Sequence, residues 1–366
     1  MKTILIAHNY TAGSFAYMSY YLAQNLANDG NRVVFISHRP FFNKPFKENT
    51  ENGELLVYSW PTDKRPVKIS DAFWFAKIYL KYKPSIVISH FVNVNITIVV
   101  SKILSLGKVK TFPYYHTLSS QIKEDVSSSS FKRNFKKYRK QFLYRWFTDL
   151  VICPSDLAKE DLEKYFHCQN SVKVLNPMKD RFTEKITVDS DFIVISYLGR
   201  LEPSKGVVEL IDAFLAYKNK FPTSKILLNI AGNGSQHDQI LELSNSHNHI
   251  NFHGALPYNE IDQYLNKSHY TIIPSKFDNL PTVGLESMMN QTPLLISNGT
   301  GLTRELTDEV ECFKFNPTLE EMISLFEKVE NNHKNCDFMG TEARKTYLQK
   351  FGTDSYCAKI KKIIEN

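Results

Sequence analysis

Short runs rich in Ile, Val and Phe alternate along this chain with longer stretches in which apolar residues recur every three or four positions. Lys2–Ala7, Arg32–Ser37, Glu54–Ser59, Ser85–Ser89, Val109–Tyr114, Asp149–Cys153 and Ser171–Leu175 read as strands, being β-branched and closing at Gly, Pro, Ser or Asn. Between most of them lies a helix-length segment. In the first, Phe15, Met18, Leu22 and Leu26 follow one helical face, and Asp29-Gly30 supplies the stop. Strand, helix, strand in repetition predicts a parallel, doubly wound α/β sheet.

The pattern breaks over Met178–Asp191, which is polar and charged, and then restarts. Phe192–Leu198, Lys225–Ile230, His249–His253, Tyr270–Ile273 and Pro293–Ser297 are the next strands, with helices near Lys205–Lys220, Ser235–Asn245, Tyr258–Asn266 and Thr282–Asn290. The expectation is two Rossmann-like domains, residues 1–180 and 181–345, facing each other across a cleft lined by the carboxyl ends of both sets of strands. Helices are expected at Leu319–Glu330 and about Cys336–Ile364, the last part, 346–366, crossing back to the first domain.

Length agrees with two domains, since 366 residues at about 100–200 per domain leave room for two cores. With 42% hydrophobic and 23% charged residues, disordered and fibrous classes are excluded. The cysteines (153, 168, 312, 336, 357) form no C-x-x-C pair and are odd in number, which argues against a disulfide framework or zinc site and for a reducing cytoplasm. No signal-peptide core or 18-residue apolar span is present. The net charge of +7 is uneven: residues 1–180 carry 26 Lys and Arg against 14 Asp and Glu, residues 181–366 carry 19 against 24. The first half therefore either meets an anionic partner or presents a solvated basic face.

Candidate chemistry concentrates in the second half. The strand Ile193–Leu198 runs into Gly199-Arg200-Leu201-Glu202-Pro203-Ser204-Lys205-Gly206 and then a helix. A strand, a glycine turn and a helix start make an anion site, where Arg200 and Lys205 add full charges suited to a diphosphate. The alternative is an exposed turn with chance basic residues. Neither a P-loop nor the G-x-G-x-x-G dinucleotide pattern is present. Gly232, in Ala231-Gly232-Asn233-Gly234, and Gly254, in His253-Gly254-Ala255, repeat the glycine turn at strand ends. In Ile273–Met289, Asp278 in a loop and Glu286 in the following helix supply carboxylates suited to sugar or ribose hydroxyls, while the Gly284 and Leu285 amides could face a phosphate.

These residues resemble the retaining glycosyltransferases of family 4, whose GT-B fold has two facing Rossmann-like domains. The similarity covers most of the chain and is most specific from Gly199 to Met289. It implies that Arg200 and Lys205 hold the donor diphosphate and that Glu286, the second glutamate of the family's E-x7-E motif, binds the ribose. Asp278 stands where the first glutamate is usual, one methylene shorter, and is the candidate contact for the donor sugar or reacting centre. His116, in Tyr114-Tyr115-His116-Thr117, matches the cleft histidine that approaches the transferred sugar, and Gly13 stands for a Gly-Gly pair after the first strand. Residues 1–180 then form the acceptor side and 181–345 the nucleotide-sugar side.

The resemblance implies sugar transfer from a nucleoside-diphosphate donor, as co-substrate, to a hydroxyl of a glycan or lipid-linked acceptor, with retention, without a metal ion or other cofactor, in surface polysaccharide or glycolipid assembly. Two alternatives stand beside it, a non-catalytic GT-B protein that binds a sugar or partner, and a GT-B nucleotide-sugar epimerase. Within residues 131–147, Phe131, Phe135, Tyr138, Phe142 and Trp146 form an aromatic stripe among Lys132, Arg133, Lys136, Lys137, Arg139, Lys140 and Arg145. Such a helix either binds an anionic membrane surface or packs its stripe inward with its cations in water. No nucleic-acid recognition motif accompanies the charge, so that partner is not expected. The expected location is cytoplasmic, with a peripheral position on the inner face of the cell membrane.

Overall fold

The computed structural model describes residues 1–8, 14–37, 45–61, 66, 68–90, 95–125, 130–186 and 191–365. The chain divides into two compact units, one of Met1–His116, Ser128–Lys179 and Thr353–Asn366, the other of Thr117–Ser127 and Asp180–Gly352. The short segment Thr117–Ser127 therefore groups with the second half of the chain, which no local pattern indicates.

In the first unit, β1 (Thr3–His8), β2 (Arg32–Ser37), β3 (Phe46–Asn49), β4 (Glu54–Ser59), β5 (Ile86–Ser89) and β6 (Lys110–Pro113) form one sheet in the order β3-β4-β2-β1-β5-β6. β7 (Val151–Cys153) and β8 (Ser171–Lys173) are a separate parallel pair. Central β1 is buried on both faces because helices cover both. Ile4 and Ile6 pack with Met18, Leu22 and Leu26 of the helix Ser14–Asn28 and with Tyr356, Ile360 and Ile364 of the last helix, Thr353–Glu365. Leu5 and Ala7, pointing the other way, pack with Phe75 and Ile98. Each such aliphatic side chain contributes about 1.5–3 kcal/mol on burial, so the period of two in β1 holds both helix layers to one sheet.

The sheet departs from an all-parallel one at β3, which runs antiparallel to β4. All four of its residues, Phe-Lys-Glu-Asn, are exposed. An edge strand with water on both faces needs no apolar alternation, so periodicity does not reveal it.

In the second unit, β9 (Ile193–Arg200), β10 (Ile226–Asn233), β11 (Ile250–Phe252), β12 (Tyr270–Ile273), β13 (Leu294–Ser297) and β14 (Cys312–Phe315) form a sheet in the order β11-β10-β9-β12-β13-β14. Every pair in it is parallel. Strand order reverses between β9 and β12, so the loops leaving these two strands open side by side at the place where open α/β sheets take ligands. In the first unit the equivalent reversal lies between β1 and β5. The long terminal helix expected near Cys336–Ile364 is two, Cys336–Lys350 and Thr353–Glu365, separated at Phe351-Gly352. The five cysteines are buried and unpaired. Among the described residues no helix is long and apolar enough to cross a membrane.

Candidate functional site

The segment after β9 closes into a 3-10 turn, Pro203–Lys205, and then the helix Val207–Lys220. Gly206, at φ 69°, joins them, and a Cβ there would meet the Pro274 carbonyl oxygen at 2.5 Å, so glycine lets the turn lie against the loop after β12. That loop is stitched to the turn, since the Lys276 and Phe277 N–H groups donate to the Ser204 carbonyl at 2.9 and 3.4 Å. The result brings Lys205 and Asp278, 73 residues apart, into a close ion pair with both side chains nearly buried.

Every cation of this cluster faces a carboxylate. Asp125, from the helix Ser119–Asp125, accepts the Ser204 N–H at 3.0 Å and lies 3.7 Å from Arg200, whose side chain is 57% exposed. Lys276 pairs with Glu209 at 2.7 Å and Glu124 at 3.3 Å. Burial alone would lower the Lys276 pKa, but these two carboxylates raise it above the ordinary value, so it is fully charged at neutral pH. The assembly is thus three cations at a helix start, in an environment that accepts negative charge and holds it with the protein's own acids.

Asp278 is fixed by its backbone, donating to the Gly299 carbonyl at 3.1 Å and accepting from the Gly301 N–H at 3.0 Å. Glu286, on the helix Thr282–Met289, is 4% exposed and lies 3.7 Å from Arg181. Arg181 is held by two 2.9 Å bonds to Asp262 and sits 5.0 Å from the Tyr258 ring centre. Burial opposes its charge, yet Asp262, Tyr258 and Glu286 together raise its pKa. Of the two amides expected to face a phosphate, that of Gly284 already donates to the Pro281 carbonyl at 3.1 Å, and Leu285 is buried. Gly284 also has a packing reason to be glycine, since a Cβ there would run into Leu302.

Gly199, Gly232 and Gly254 come together. Gly232 pairs with Gly199 across β10 and β9, and its N–H donates to the Gly254 carbonyl at 2.7 Å. A Cβ on Gly232 would strike the Gly199 carbonyl, so this contact requires glycine irrespective of any ligand.

The first unit contains His116, three residues past β6 and half-buried. Desolvation first, and the His8 imidazole second, pull its pKa down to about 3. His116 is therefore neutral at physiological pH. Gly13 lies outside the described residues.

On the helix Ser130–Trp146, the aromatic stripe faces outward. Phe135, Tyr138, Phe142 and Trp146 are 57–66% exposed, while Leu143 and Tyr144 form the buried face. The inward-packing alternative for these four residues does not hold; the side chains of Phe131, Lys132 and Arg133 lie outside the described residues. Lys137 and Lys140 lie over Tyr165 and Phe166 at 4.5 and 5.5 Å from the ring centres.

Among the described residues no group of three or more His, Cys, Asp or Glu is placed to hold a metal ion. The chain does contain one D-x-D triplet, a pattern known from metal sites, at Asp189-Ser190-Asp191, of which the first two residues lie outside the described ones. Sequence reasoning did not single out Asp125, Glu124, Lys276, Arg181, His8 or His90. Only Lys276 carried a signal, as a third cation inside an already suspect loop.

Residues 178–346 match the family model described as glycosyl transferases group 1, and residues 16–178 that described as Glycosyltransferase Family 4. A glycogen synthase of Mycobacterium tuberculosis is 33% identical over 109 residues, 29% of this chain and 26% of that protein, so the chain matches only about a quarter of that relative's length. An uncharacterized glycosyltransferase of Haemophilus influenzae is 23% identical over 333 residues, 88% of each chain. Among solved structures, sucrose-phosphate synthase from Thermosynechococcus elongatus has a TM-score of 0.78 at 15% identity, covering 100% of this chain and 98% of that one. Anabaena HepE in complex with UDP-glucose has a TM-score of 0.72 at 16% identity, covering 100% of both chains. At these identities the structures share the fold.

Proposed function

Because the chain belongs to glycosyltransferase family 4 and has its GT-B fold of two Rossmann-like domains, we propose that it transfers a sugar, with retention, from a nucleoside-diphosphate donor to a hydroxyl of a glycan or lipid-linked acceptor. The observation that carries this reading is the cation cluster at the start of the helix Val207–Lys220, beside the strand-order reversal of the second unit. When the bond from the anomeric carbon to the donor oxygen breaks, negative charge develops on the leaving diphosphate. Arg200, Lys205 and the helix-start amides stabilise it without a metal ion or other cofactor. The acceptor oxygen forms the new bond on the same face, and its proton passes to a leaving phosphate oxygen. Asp278 serves the donor sugar, Glu286 the ribose, and His116 the transferred sugar.

HepE has been solved with UDP-glucose, which favours a uridine donor here and a hexosyl group. The acceptor is membrane-borne, in surface polysaccharide or glycolipid assembly. Four exposed aromatic side chains beside Lys136, Arg139 and Arg145 suit an anionic bilayer surface, where aromatics enter the headgroup layer and cations meet lipid phosphates. The protein then works in the cytoplasm, at the inner face of the membrane.

The test is a thermal-shift and calorimetric screen of UDP, GDP, ADP and their sugar conjugates, since a ligand of the native state raises the melting temperature. One nucleotide is expected to stabilise, and its sugar conjugate to be consumed only when acceptor lipid is added. Binding of no nucleotide supports the non-catalytic alternative, and conversion of the donor sugar without acceptor supports an epimerase.

A further inference from the structure

Arg181 stands on a fixed base. It belongs to Asp180–Ile186, a polar stretch that groups with the second unit and is tied to it on both sides of Arg181. Before it, Asp180 accepts from both Nη atoms of Arg344, at 3.2 and 2.8 Å. After it, the side chain of Asn266, at the end of the helix Ile261–Asn266, donates to the Glu184 carbonyl at 2.7 Å and accepts from the Ile186 N–H at 3.0 Å. The Arg181 N–H itself donates to Met289 Sδ at 3.3 Å, on the helix that carries Glu286.

The guanidinium is fixed as firmly as the backbone. Nε and Nη2 both donate to Asp262 at 2.9 Å, and the group lies over the Tyr258 ring. The Asp262 Oδ1 that accepts from Nη2 also accepts from Nδ2 of Asn290 at 3.0 Å, and the same Nδ2 donates to the Glu286 carbonyl at 2.9 Å. Asp262 is thus tied to the helix Thr282–Met289, and the ring of contacts closes where Nη2 of Arg181 comes within 3.7 Å of Glu286 Oε1. At that distance the last contact adds little hydrogen bonding to the strap, which Asp262 already completes. Its effect is electrostatic and falls on the carboxylate. The Glu286 side chain is only 6% exposed, and a charge taken so far out of water is costly unless an opposite charge stands beside it. A planar guanidinium braced from its other side sets the direction of that charge as well as its sign.

We infer that Arg181 is a positioning residue for Glu286: braced by Asp262, it holds the carboxylate oriented and charged, as an acceptor for the two ribose hydroxyls of the donor nucleotide. A ribonucleotide is then told from its deoxy form with the help of a residue that needs no contact with the ligand. The inference deepens the proposed ribose contact of Glu286 and rests on it.

The experiment is calorimetric titration of the full chain with UDP and with 2′,3′-dideoxy-UDP, or with the guanosine or adenosine pair where one of those is the nucleotide bound. The unmutated protein is expected to prefer UDP roughly tenfold to a hundredfold, the factor for hydroxyl bonds to a carboxylate. Arg181→Met keeps the bulk and removes the cation. It is expected to weaken UDP roughly tenfold and the dideoxy form little, so that the ratio of the two affinities collapses towards one. Arg181→Lys keeps the charge without the fork and is expected to recover part of the ratio. An unchanged ratio in Arg181→Met, or equal weakening of both nucleotides as a merely structural strap would give, overturns the inference. Asp262→Asn loosens the brace without touching Glu286 and is expected to narrow the ratio less; an unchanged ratio there overturns the inference even if Arg181→Met does not fold. No preference for the ribonucleotide in the unmutated protein, or binding of none of the pairs, refutes the ribose contact of Glu286 and the inference with it. A clear preference that survives in Arg181→Met refutes the role of Arg181 alone.

Discussion

On the proposed reading, Asp125 stands against the groups that hold the donor diphosphate. Its carboxylate takes the Ser204 N–H at 3.0 Å and stands 3.7 Å from Arg200, with only 12% of its side chain exposed. Nucleotide binding through these groups has to displace it or tolerate its charge. The Arg200 pair is solvent-screened, because the arginine side chain is 57% exposed, so it is worth at most about 1 kcal/mol. A hydrogen bond to a carboxylate is worth about 1.5–3 kcal/mol and one to a neutral amide about 0.5–1.5 kcal/mol. Asp125→Asn keeps an acceptor for Ser204 and removes the charge, which relieves about 1–2 kcal/mol of competition and tightens nucleotide binding roughly fivefold to thirtyfold. Calorimetric titration with UDP reads this directly, and the gain should shrink as salt is raised. Equal or weaker binding by Asp125→Asn refutes the reasoning, because the carboxylate would then be holding Arg200 in place for the ligand.

Further outcomes follow from the same geometry. Lys205→Ala and Arg200→Ala are each expected to weaken nucleotide binding, by about 1.5–3 kcal/mol where a charge-assisted bond is lost, with the exposed Arg200 at the lower end; unchanged affinity in both removes the phosphate assignment. Asp278→Glu pushes a longer carboxylate against the nearly buried Lys205 and should lower turnover, so equal turnover with the same donor shows that the shorter side chain is not tuned to it. Replacing Lys136 and Arg139 by Glu, or Phe142 and Trp146 by Ser, should reduce co-sedimentation with anionic vesicles while leaving the melting temperature nearly unchanged, since all four are exposed; undiminished binding removes the membrane surface from this helix. Burial first, and then Arg139, pull the Lys140 ammonium down to about 8 against an ordinary 10.5. The folded state therefore holds that proton less tightly than the unfolded one, and the resulting destabilisation is complete below pH 8 and fades between about pH 8 and 10.5. Lys140→Met should raise the melting temperature more at pH 7 than at pH 10, and the opposite order would contradict that assignment.

The sequence by itself determined what depends on near neighbours. Strand and helix types follow from periods of two and 3.6, and every strand expected in the chain forms with its ends shifted by a few residues. The basic turn between strand and helix was legible because Arg200, Ser204, Lys205 and Gly206 lie within one strand-turn-helix segment. Where a strand owes its existence to an edge, as β3 does, its residues carried no such record.

Tertiary structure alone decided which segments meet. Strand order is set by crossover connections that leave no mark on local periodicity, and it is strand order that lays β12 beside β9 and so pairs Asp278 with Lys205. Asp125 reaches Ser204 across 79 residues, and Arg181 reaches both Asp262 and Glu286 from a stretch that reads only as a polar linker. His8, His90 and His116 each look like a lone histidine after a strand. They become one group in ring contact because β5 lies between β1 and β6, and the burial that suppresses the charge of His90 and His116 exists only once both helix layers have closed over that sheet.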